Sequence, residues 1–291
     1  MQRPRKQAMV DAWPDVSSGP FMVQVVLAGL ALARVLGTVP ITQSLQYPSP
    51  ARSPLMSTAN YDTFAEAYNS DNENNAWNAY YERPAILSMI GDVERLRVLD
   101  AGCGGGAHAA ELVSRGAVMT GIDNSPGLLE VAARRLDGQA RLLLADLNEP
   151  IPFADASFDV VMSSLVMHYL PDWSIPLAEF RRVLCDRGRL VFSTHHPFMD
   201  HELSGNENYF ETYSFEERWE RGGRAATMRF WHRSLHTIVD ELKKAGFSIE
   251  AVEEPPPDPR ARSLFPEAYH SLSTKPRFLF ISATKGPGRT D

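Results

Sequence analysis

The chain has 291 residues, of which 44% are hydrophobic and 22% are charged, and its formal net charge is −7. This composition suits one large globular domain or one domain with appendages, and the negative charge argues against binding nucleic acid through a broadly basic face. The two cysteines, Cys103 and Cys185, are poorly placed for a structural disulfide, and no set of Cys and His residues has zinc spacing.

The first 55 residues differ from the rest of the chain. Basic residues near the N-terminus precede an apolar run at 21–39, which resembles a signal-peptide core but is interrupted by polar residues. A linker rich in proline and serine follows and ends at Met56. We expect Met56 to be the natural start, residues 1–55 to be a dispensable extension and residues 56–291 to form the domain. An extra packing helix and a signal or anchor segment are the alternatives for the extension.

The rest of the chain predicts alternating strands and helices. An aromatic-rich helical segment covers residues 60–86. Strands are predicted at 96–101, 117–123, 140–146, 158–166, 188–196, 247–254 and 276–285, with helices at 107–116, 125–136, 173–184 and 234–246. Short apolar strands separated by helices predict a parallel sheet that is covered on both faces. Ligands of such sheets bind beyond the carboxyl ends of the strands.

A glycine-rich turn, GCGGGA, follows the first strand of this sheet. Gly102, Gly104 and Gly106 would allow the backbone to turn tightly and to approach a ligand closely. The run also satisfies the dinucleotide pattern G-x-G-x-x-G/A. The turn alone therefore does not separate a nicotinamide enzyme from other proteins that bind a nucleoside.

Three acids at the ends of the first three strands narrow the choice of ligand. Asp100 precedes the glycines, where it would crowd a pyrophosphate but would suit a cation. Asp123 ends the second strand and could accept hydrogen bonds from both ribose hydroxyls. Asp146 ends the third strand and could accept from an adenine amino group. The three acids together favour a ligand with an ammonium group, a ribose and an adenine, and without phosphates.

At this point the chain resembles the class I S-adenosylmethionine-dependent methyltransferases. VLDAGCGGG matches their first motif, GID the second, ADL the third, and FDVVMSSLVMHYLPDW the region around their fourth strand; the resemblance covers Tyr61 to Lys285. It implies an α/β, Rossmann-like, mostly parallel sheet of seven strands with helices on both faces. The last strand, PRFLFISATK, would be antiparallel and lie between the fifth and sixth strands. The implied reaction transfers a methyl group from S-adenosylmethionine to a small organic acceptor, at O, N or C, and leaves S-adenosylhomocysteine.

The resemblance also assigns residues to the cofactor. These are Asp100, Gly102, Gly104 and Ser163 for the methionine part, Asp123 and Asn124 for the ribose, Asp146 and Leu147 for the adenine, and Tyr61 and Tyr68 for an N-terminal helical lid. The two tyrosines share one helical face, so simple packing is an equally good interpretation of them.

Histidines and aromatic residues dominate the expected acceptor side. His168 follows the fourth strand and His195 ends the fifth, and both are candidate catalytic residues because a histidine can take up a proton near neutral pH. Residues 197–231 form an insertion rich in aromatic side chains, in which the alternation at 224–231 and the glycines at 222–223 predict a hairpin. The insertion is either a satellite hydrophobic cluster or a lid over the acceptor.

Two rival functions remain open on the sequence. One is a nicotinamide-dependent oxidoreductase, against which Asp100 argues. The other is a non-catalytic accessory protein that binds S-adenosylmethionine.

We predict a cytoplasmic enzyme of specialised metabolism that needs no metal and acts on a small molecule, without a nucleic-acid or membrane partner. The segment after the fourth strand reads SSLV, which lacks the N-P-P-Y-type signature of base-modifying relatives. The oligomeric state is not predicted.

Overall fold

The protein is represented by a computed structural model, which describes the backbone of residues 65–221 and 224–286. The predicted extension at 1–55 and the proposed lid residue Tyr61 lie outside the described residues. The side chain of Tyr68 also lies outside them, although its backbone belongs to the first helix.

The first described segment is a helical cap, residues 65–90, which precedes the sheet. It consists of α1 (Ala65–Asn74), a π-helical turn (Asn78–Glu82) and α2 (Arg83–Ile90). The strands that follow are β1 (Arg97–Ala101), β2 (Val118–Asp123), β3 (Ala140–Leu144), β4 (Phe158–Ser164), β5 (Leu184–His195), β6 (Tyr213–Arg221), β7 (Arg224–His232), β8 (Phe247–Glu253) and β9 (Phe278–Lys285). The remaining helices are α3 (Ala107–Ser114), α4 (Pro126–Leu136), α5 (Ser174–Val183), α6 (Pro197–Ser204), α7 (Leu235–Lys244), α8 (Ala261–Leu264) and α9 (Pro266–Thr274).

Seven strands form one sheet in the order β3-β2-β1-β4-β5-β9-β8. Strands β1 to β5 pair in parallel, whereas β9 runs antiparallel between β5 and β8. The predicted fold, including the antiparallel last strand, is therefore confirmed. The strand order reverses between β1 and β4, and a sheet of this kind binds its ligand at such a switch point.

Local sequence signals explain how the elements begin and where the core lies. Ser125 caps α4 by accepting a hydrogen bond from the N–H of Leu128 (3.2 Å), and Pro126 fits the first helical position because it needs no N–H partner there. The strands are apolar on both faces because helices cover both sides of the sheet. Residues such as Leu99 and Phe192 are consequently fully buried.

The insertion forms α6 and the antiparallel hairpin β6–β7, in which Phe215 pairs with Phe230. The hairpin predicted from the alternation is therefore present, while its turn at 222–223 lies outside the described residues. In the part of the chain that the structure describes, every helix is too short or too polar to cross a membrane.

Candidate functional site

A central cavity opens at the carboxyl ends of β1, β2, β3 and β4, beside the switch point. Its walls come from five segments: the glycine turn, the residues after β2, those after β3, those after β4, and the cap. The lining residues at or just after the strand ends include Asp123 and Asn124, Asp146 and Leu147, and Ser164, Leu165, Val166, Tyr169 and Leu170. The cap contributes Asn69, Asn72, Glu73, Asn78 and Arg83. The sheet and the cap therefore enclose the cavity together.

The glycine turn adopts the conformation that its composition requires. Gly102, Gly104 and Gly106 have φ angles of 84°, 51° and 75°, in the left-handed region that favours glycine. A Cβ atom on Gly102 would also lie 2.3 Å from a methyl carbon of Val166. Gly102 thus allows the turn to pack closely against the segment that follows β4.

Asp123 holds the glycine turn as well as lining the cavity. One carboxylate oxygen accepts a hydrogen bond from the N–H of Gly104 (2.8 Å), and the other accepts from the N–H of Ser125 (2.9 Å). Each carboxylate oxygen can accept more than one hydrogen bond, so ribose hydroxyls could still bind to this group. Asp123 and its neighbour Asn124 both line the cavity, and their role in binding the ribose stays a prediction.

The residues proposed for the adenine lie on the cavity wall. Asp146 accepts hydrogen bonds from the main-chain and side-chain nitrogens of Asn148 (both 2.9 Å), which fixes the loop after β3. Leu147 is buried and contributes apolar surface beside it. A carboxylate beside an apolar side chain suits a flat heterocycle that carries an amino group.

Asp100 is a buried carboxylate that lacks a hydrogen-bond partner. It is 1% exposed, and neither oxygen accepts a hydrogen bond from the residues that the structure describes. Burial raises its pKa to about 7, although attraction to His108 acts in the opposite direction. A buried acid of this kind is destabilising unless a partner supplies donors. Asp100 does not itself line the cavity, but it lies beside the glycine turn, where the ammonium group of S-adenosylmethionine would supply positive charge, so the residues present fit this cofactor.

Ser163, which the resemblance assigns to the methionine part, is not among the residues that line the cavity. Its side chain is fully buried, and its hydroxyl donates a hydrogen bond to the main-chain oxygen of Ala101 (3.0 Å). Successive side chains of a strand point to opposite faces, so the next residue, Ser164, lines the cavity instead. The polar group beside the glycine turn is thus displaced by one position from the expectation.

Glu82 forms a buried network that the sequence reasoning missed. Its carboxylate is fully buried and contacts the Nε2 of His108 (2.9 Å), the hydroxyl of Ser164 (2.7 Å) and the hydroxyl of Ser193 (2.7 Å). Burial acts to raise the pKa of Glu82, but attraction to His108 and the hydrogen bonds from all three partners outweigh it and hold the pKa below its ordinary value. Glu82 therefore ties the cap to α3, β4 and β5.

Two further cavity residues, Arg83 and His108, were also missed. The only local sequence signal that could have indicated a role for Glu82 and Arg83 is that these two charged residues stand next to Pro84. The rest of that segment is rich in aromatic residues and predicts a packed helix. His108 follows the glycine turn directly and could have been suspected from that position alone. Both Arg83 and His108 line the central cavity.

The two candidate catalytic histidines lie together, but neither is among the residues that line the central cavity. The rings of His168 and His195 stack at 3.7 Å, and both pack against Phe230 of the insertion. His168 is 2% exposed, and burial and the neighbouring His195 lower its pKa well below the ordinary value. Its Nδ1 accepts a hydrogen bond from the N–H of His195 (3.2 Å), so the neutral ring carries its proton on Nε2.

His195 has the better surroundings for proton transfer. Its Nδ1 lies 3.0 Å from a carboxylate oxygen of Asp200, which orients the ring, and its side chain is 15% exposed. A carboxylate that holds one ring nitrogen leaves the other nitrogen to act on a ligand. Tyr169 links this histidine pair to the central cavity, because it lines the cavity and its ring lies 4.5 Å from that of His168.

Comparisons with known proteins agree with this geometry. The family model described as "Methyltransferase domain" matches residues 99–192. An uncharacterized protein of Haemophilus influenzae is 28% identical over 77% of this chain and 95% of its own length. A malonyl-[acyl-carrier protein] O-methyltransferase of Serratia marcescens is 40% identical over 38% of this chain, and the match spans only 42% of that relative.

A solved structure extends the similarity beyond the matched domain. A putative S-adenosylmethionine-dependent methyltransferase from Listeria monocytogenes has a TM-score of 0.61 and 27% identity, over 71% of this chain and 97% of that one. The fold, the cavity at the switch point and the unpartnered Asp100 all agree with these matches. Residues 99–192 therefore form a methyltransferase domain of the class I S-adenosylmethionine-dependent kind, and S-adenosylmethionine is its cofactor.

Proposed function

We propose that this enzyme methylates a small organic molecule that binds under the insertion, next to Tyr169. When bound, S-adenosylmethionine supplies an activated methyl group for an in-line displacement at carbon. The task of the protein is then to bind the two reactants, align them and exclude water. No covalent intermediate on the protein is needed. Whether the methyl group is transferred to an oxygen, a nitrogen or a carbon atom depends on which acceptor molecule binds.

The observation that carries the proposal is the position of Phe230. This ring comes from β7 of the insertion and is fully buried against His168, His195 and Tyr169, at centroid distances of 5.5, 4.7 and 5.2 Å. The insertion thus covers the carboxyl ends of β4 and β5, immediately beside the cavity wall. Aromatic walls with a few polar groups are typical of pockets for small organic ligands.

In this proposal His195 accepts the proton from acceptors that must lose one. Asp200 orients its ring, and the 15% exposure of the side chain leaves it accessible to a ligand. His168 supports His195 by stacking on it and by accepting the hydrogen bond from its main-chain N–H. This assigns the catalytic role to His195 and a positioning role to the buried His168.

Charge and similarity support a small acceptor over a nucleic acid. The net charge of −7 disfavours the counterion release on which nucleic-acid binding depends. The relative from Serratia marcescens is named for the O-methylation of a malonyl group, which is a small carboxylic acid on a carrier. We place the enzyme in the cytoplasm, where S-adenosylmethionine is made, and assign it to specialised metabolism as part of the same proposal.

Two experiments test the proposal in sequence. Calorimetric titration of the full chain should show binding of S-adenosylhomocysteine and none of NAD, and the reverse result would restore the oxidoreductase alternative. The enzyme is then incubated with S-adenosylmethionine labelled in its methyl group, together with pools of small alcohols, amines and carboxylic acids, total RNA, or unfolded protein. Label transferred to a small molecule would support the proposal. Label found only in RNA or protein would refute it.

A further inference from the structure

Arg277 is a half-buried arginine whose guanidinium has few hydrogen-bond acceptors. It lies between α9 and β9, and its Nη2 donates a hydrogen bond to the hydroxyl of Ser271 (2.7 Å). In the part of the chain that the structure describes, the acceptor for Nη1 is the thioether sulfur of Met199 (3.0 Å), and the buried Nε has no acceptor. A thioether accepts only weakly, and a buried guanidinium nitrogen without an acceptor is destabilising. An anionic ligand group would therefore improve the environment of this side chain.

Among the described residues, no carboxylate forms an ion pair with Arg277. Burial lowers the pKa of Arg277, and attraction to the more distant Glu202 and Glu217 acts in the opposite direction. Both acids have partners of their own. Glu202 lies 4.0 Å from the ammonium nitrogen of Lys275, and Glu217 accepts a hydrogen bond from the indole N–H of Trp219 (3.1 Å). The charge of Arg277 is therefore only partly compensated by the described residues.

Three segments that cover the acceptor side meet at this guanidinium. The insertion contacts it through α6, the C-terminal part through α9, and the cap through the ring of Trp77, whose centroid lies 5.1 Å from the guanidinium carbon. The next residue, Phe278, pairs with His195 across β9 and β5, and the two rings stack at 6.1 Å. Since consecutive Cα atoms are about 3.8 Å apart, Arg277 stands one residue from the position opposite the proposed proton acceptor.

We propose that Arg277 binds a carboxylate of the acceptor and orients the acceptor toward His195. This inference rests on the proposed function, and it narrows the substrate class to carboxylic acids with a flat or apolar body, because the neighbouring side chains are aromatic or apolar. A guanidinium presents parallel N–H groups to a carboxylate, which specifies orientation as well as charge. A carboxylate also carries a single charge that one arginine can balance, whereas a phosphate dianion would keep excess negative charge near Glu202 and Glu217.

Binding of small probes to the full chain tests this assignment before any acceptor is known. Calorimetry of the protein saturated with S-adenosylhomocysteine compares benzoate with benzamide, which has nearly the same shape and no charge, and with inorganic phosphate. Benzoate should bind about tenfold more tightly than either of the other probes. Arg277→Gln should weaken binding of benzoate by about 10- to 100-fold, change that of benzamide by less than about twofold, and leave the affinity for S-adenosylhomocysteine unchanged. Arg277→Lys, which keeps the charge, should retain part of the preference for benzoate.

Arg262→Gln is the matched control, because Arg262 of α8 is exposed and the substitution removes the same charge. It should leave the ratio of the dissociation constants of benzoate and benzamide at the wild-type value. A purely structural role of Arg277 would weaken both probes equally in Arg277→Gln, and that result would overturn the assignment. Equal affinity of the wild type for benzoate and benzamide, or tighter binding of phosphate than of benzoate, would overturn it as well.

Methyl transfer to the labelled pools separates this inference from the proposed function. Label in a carboxylic acid, with a KM for that acid that rises by about 10- to 100-fold in Arg277→Gln while kcat changes much less, would support the role of Arg277. Label only in alcohols or amines that lack a carboxylate would overturn this role and leave the proposed function intact. Label only in RNA or protein would remove both.

Discussion

Replacing Asp100 by asparagine should stabilise the protein without its cofactor and weaken cofactor binding. The pKa of Asp100 is raised from 3.8 to about 7 because the group is buried without a partner. Between these pH values the folded protein holds a proton that the unfolded chain releases, so this group lowers the free energy of unfolding as pH rises from about 4 to about 7. Above pH 7 the full penalty applies, and at 1.36 kcal/mol per pH unit it amounts to about 4 kcal/mol as an upper limit.

Urea unfolding of the full chain at pH 8 and at pH 5 measures this effect. Asp100→Asn should raise the free energy of unfolding by up to about 4 kcal/mol at pH 8 and by only about 1.5 kcal/mol at pH 5, because most of the penalty develops between these two values. Asp186→Asn is the control, since Asp186 is fully exposed and should show no such difference.

Cofactor binding should respond in the opposite direction. Asparagine keeps the shape of the side chain but loses the charge that would attract an ammonium, so S-adenosylhomocysteine should bind more weakly to Asp100→Asn. The same ligand should therefore raise the unfolding midpoint of the variant less than that of the wild type. Wild-type affinity in Asp100→Asn, or a loss of stability at pH 8, would refute the reasoning about a buried, unpartnered acid.

Three further predictions address the turn, the acceptor side and the extension. Gly102→Ala should destabilise the protein by about 1–2 kcal/mol from backbone strain alone, and by more from the clash with Val166, so thermal unfolding should detect it; a wild-type midpoint would mean that the turn adapts. His195→Gln should lower the rate of methyl transfer and leave the dissociation constant of S-adenosylhomocysteine unchanged. The control His236→Gln, at an exposed position, should alter neither quantity. Full activity in His195→Gln would remove His195 from the catalytic role. Deletion of residues 1–55 should leave a folded, cofactor-binding protein, and an insoluble product would contradict the interpretation of Met56 as the natural start.

Local chemistry made the glycine turn and the acids at the strand ends predictable. The conformations of Gly102 and Gly104 follow from the absence of a Cβ atom, and the acids after β1, β2 and β3 lie at one edge because parallel strands end together. These features depend on short stretches of chain and on the regular geometry of a parallel sheet. A short sequence pattern is therefore enough to predict these features.

The neighbouring residues Ser163 and Ser164 show the limit of such patterns. A strand alternates its side chains, so an error of one residue moves a group from the cavity wall into the core. The sequence SS offers two serines with no local distinction between them. Only the packing of β4 against its neighbours decides that Ser164 reaches the cavity and that Ser163 binds Ala101.

The sequence by itself determined the fold class and the cofactor. Tertiary structure decided which charges meet. Glu82 joins Ser164 across 82 residues and Ser193 across 111, and Arg83, the next residue, lines the cavity. The stacking of His168 on His195 likewise joins the ends of two strands. Contacts between residues so far apart in the chain depend on how whole elements pack, and a single sequence carries no local signal for them.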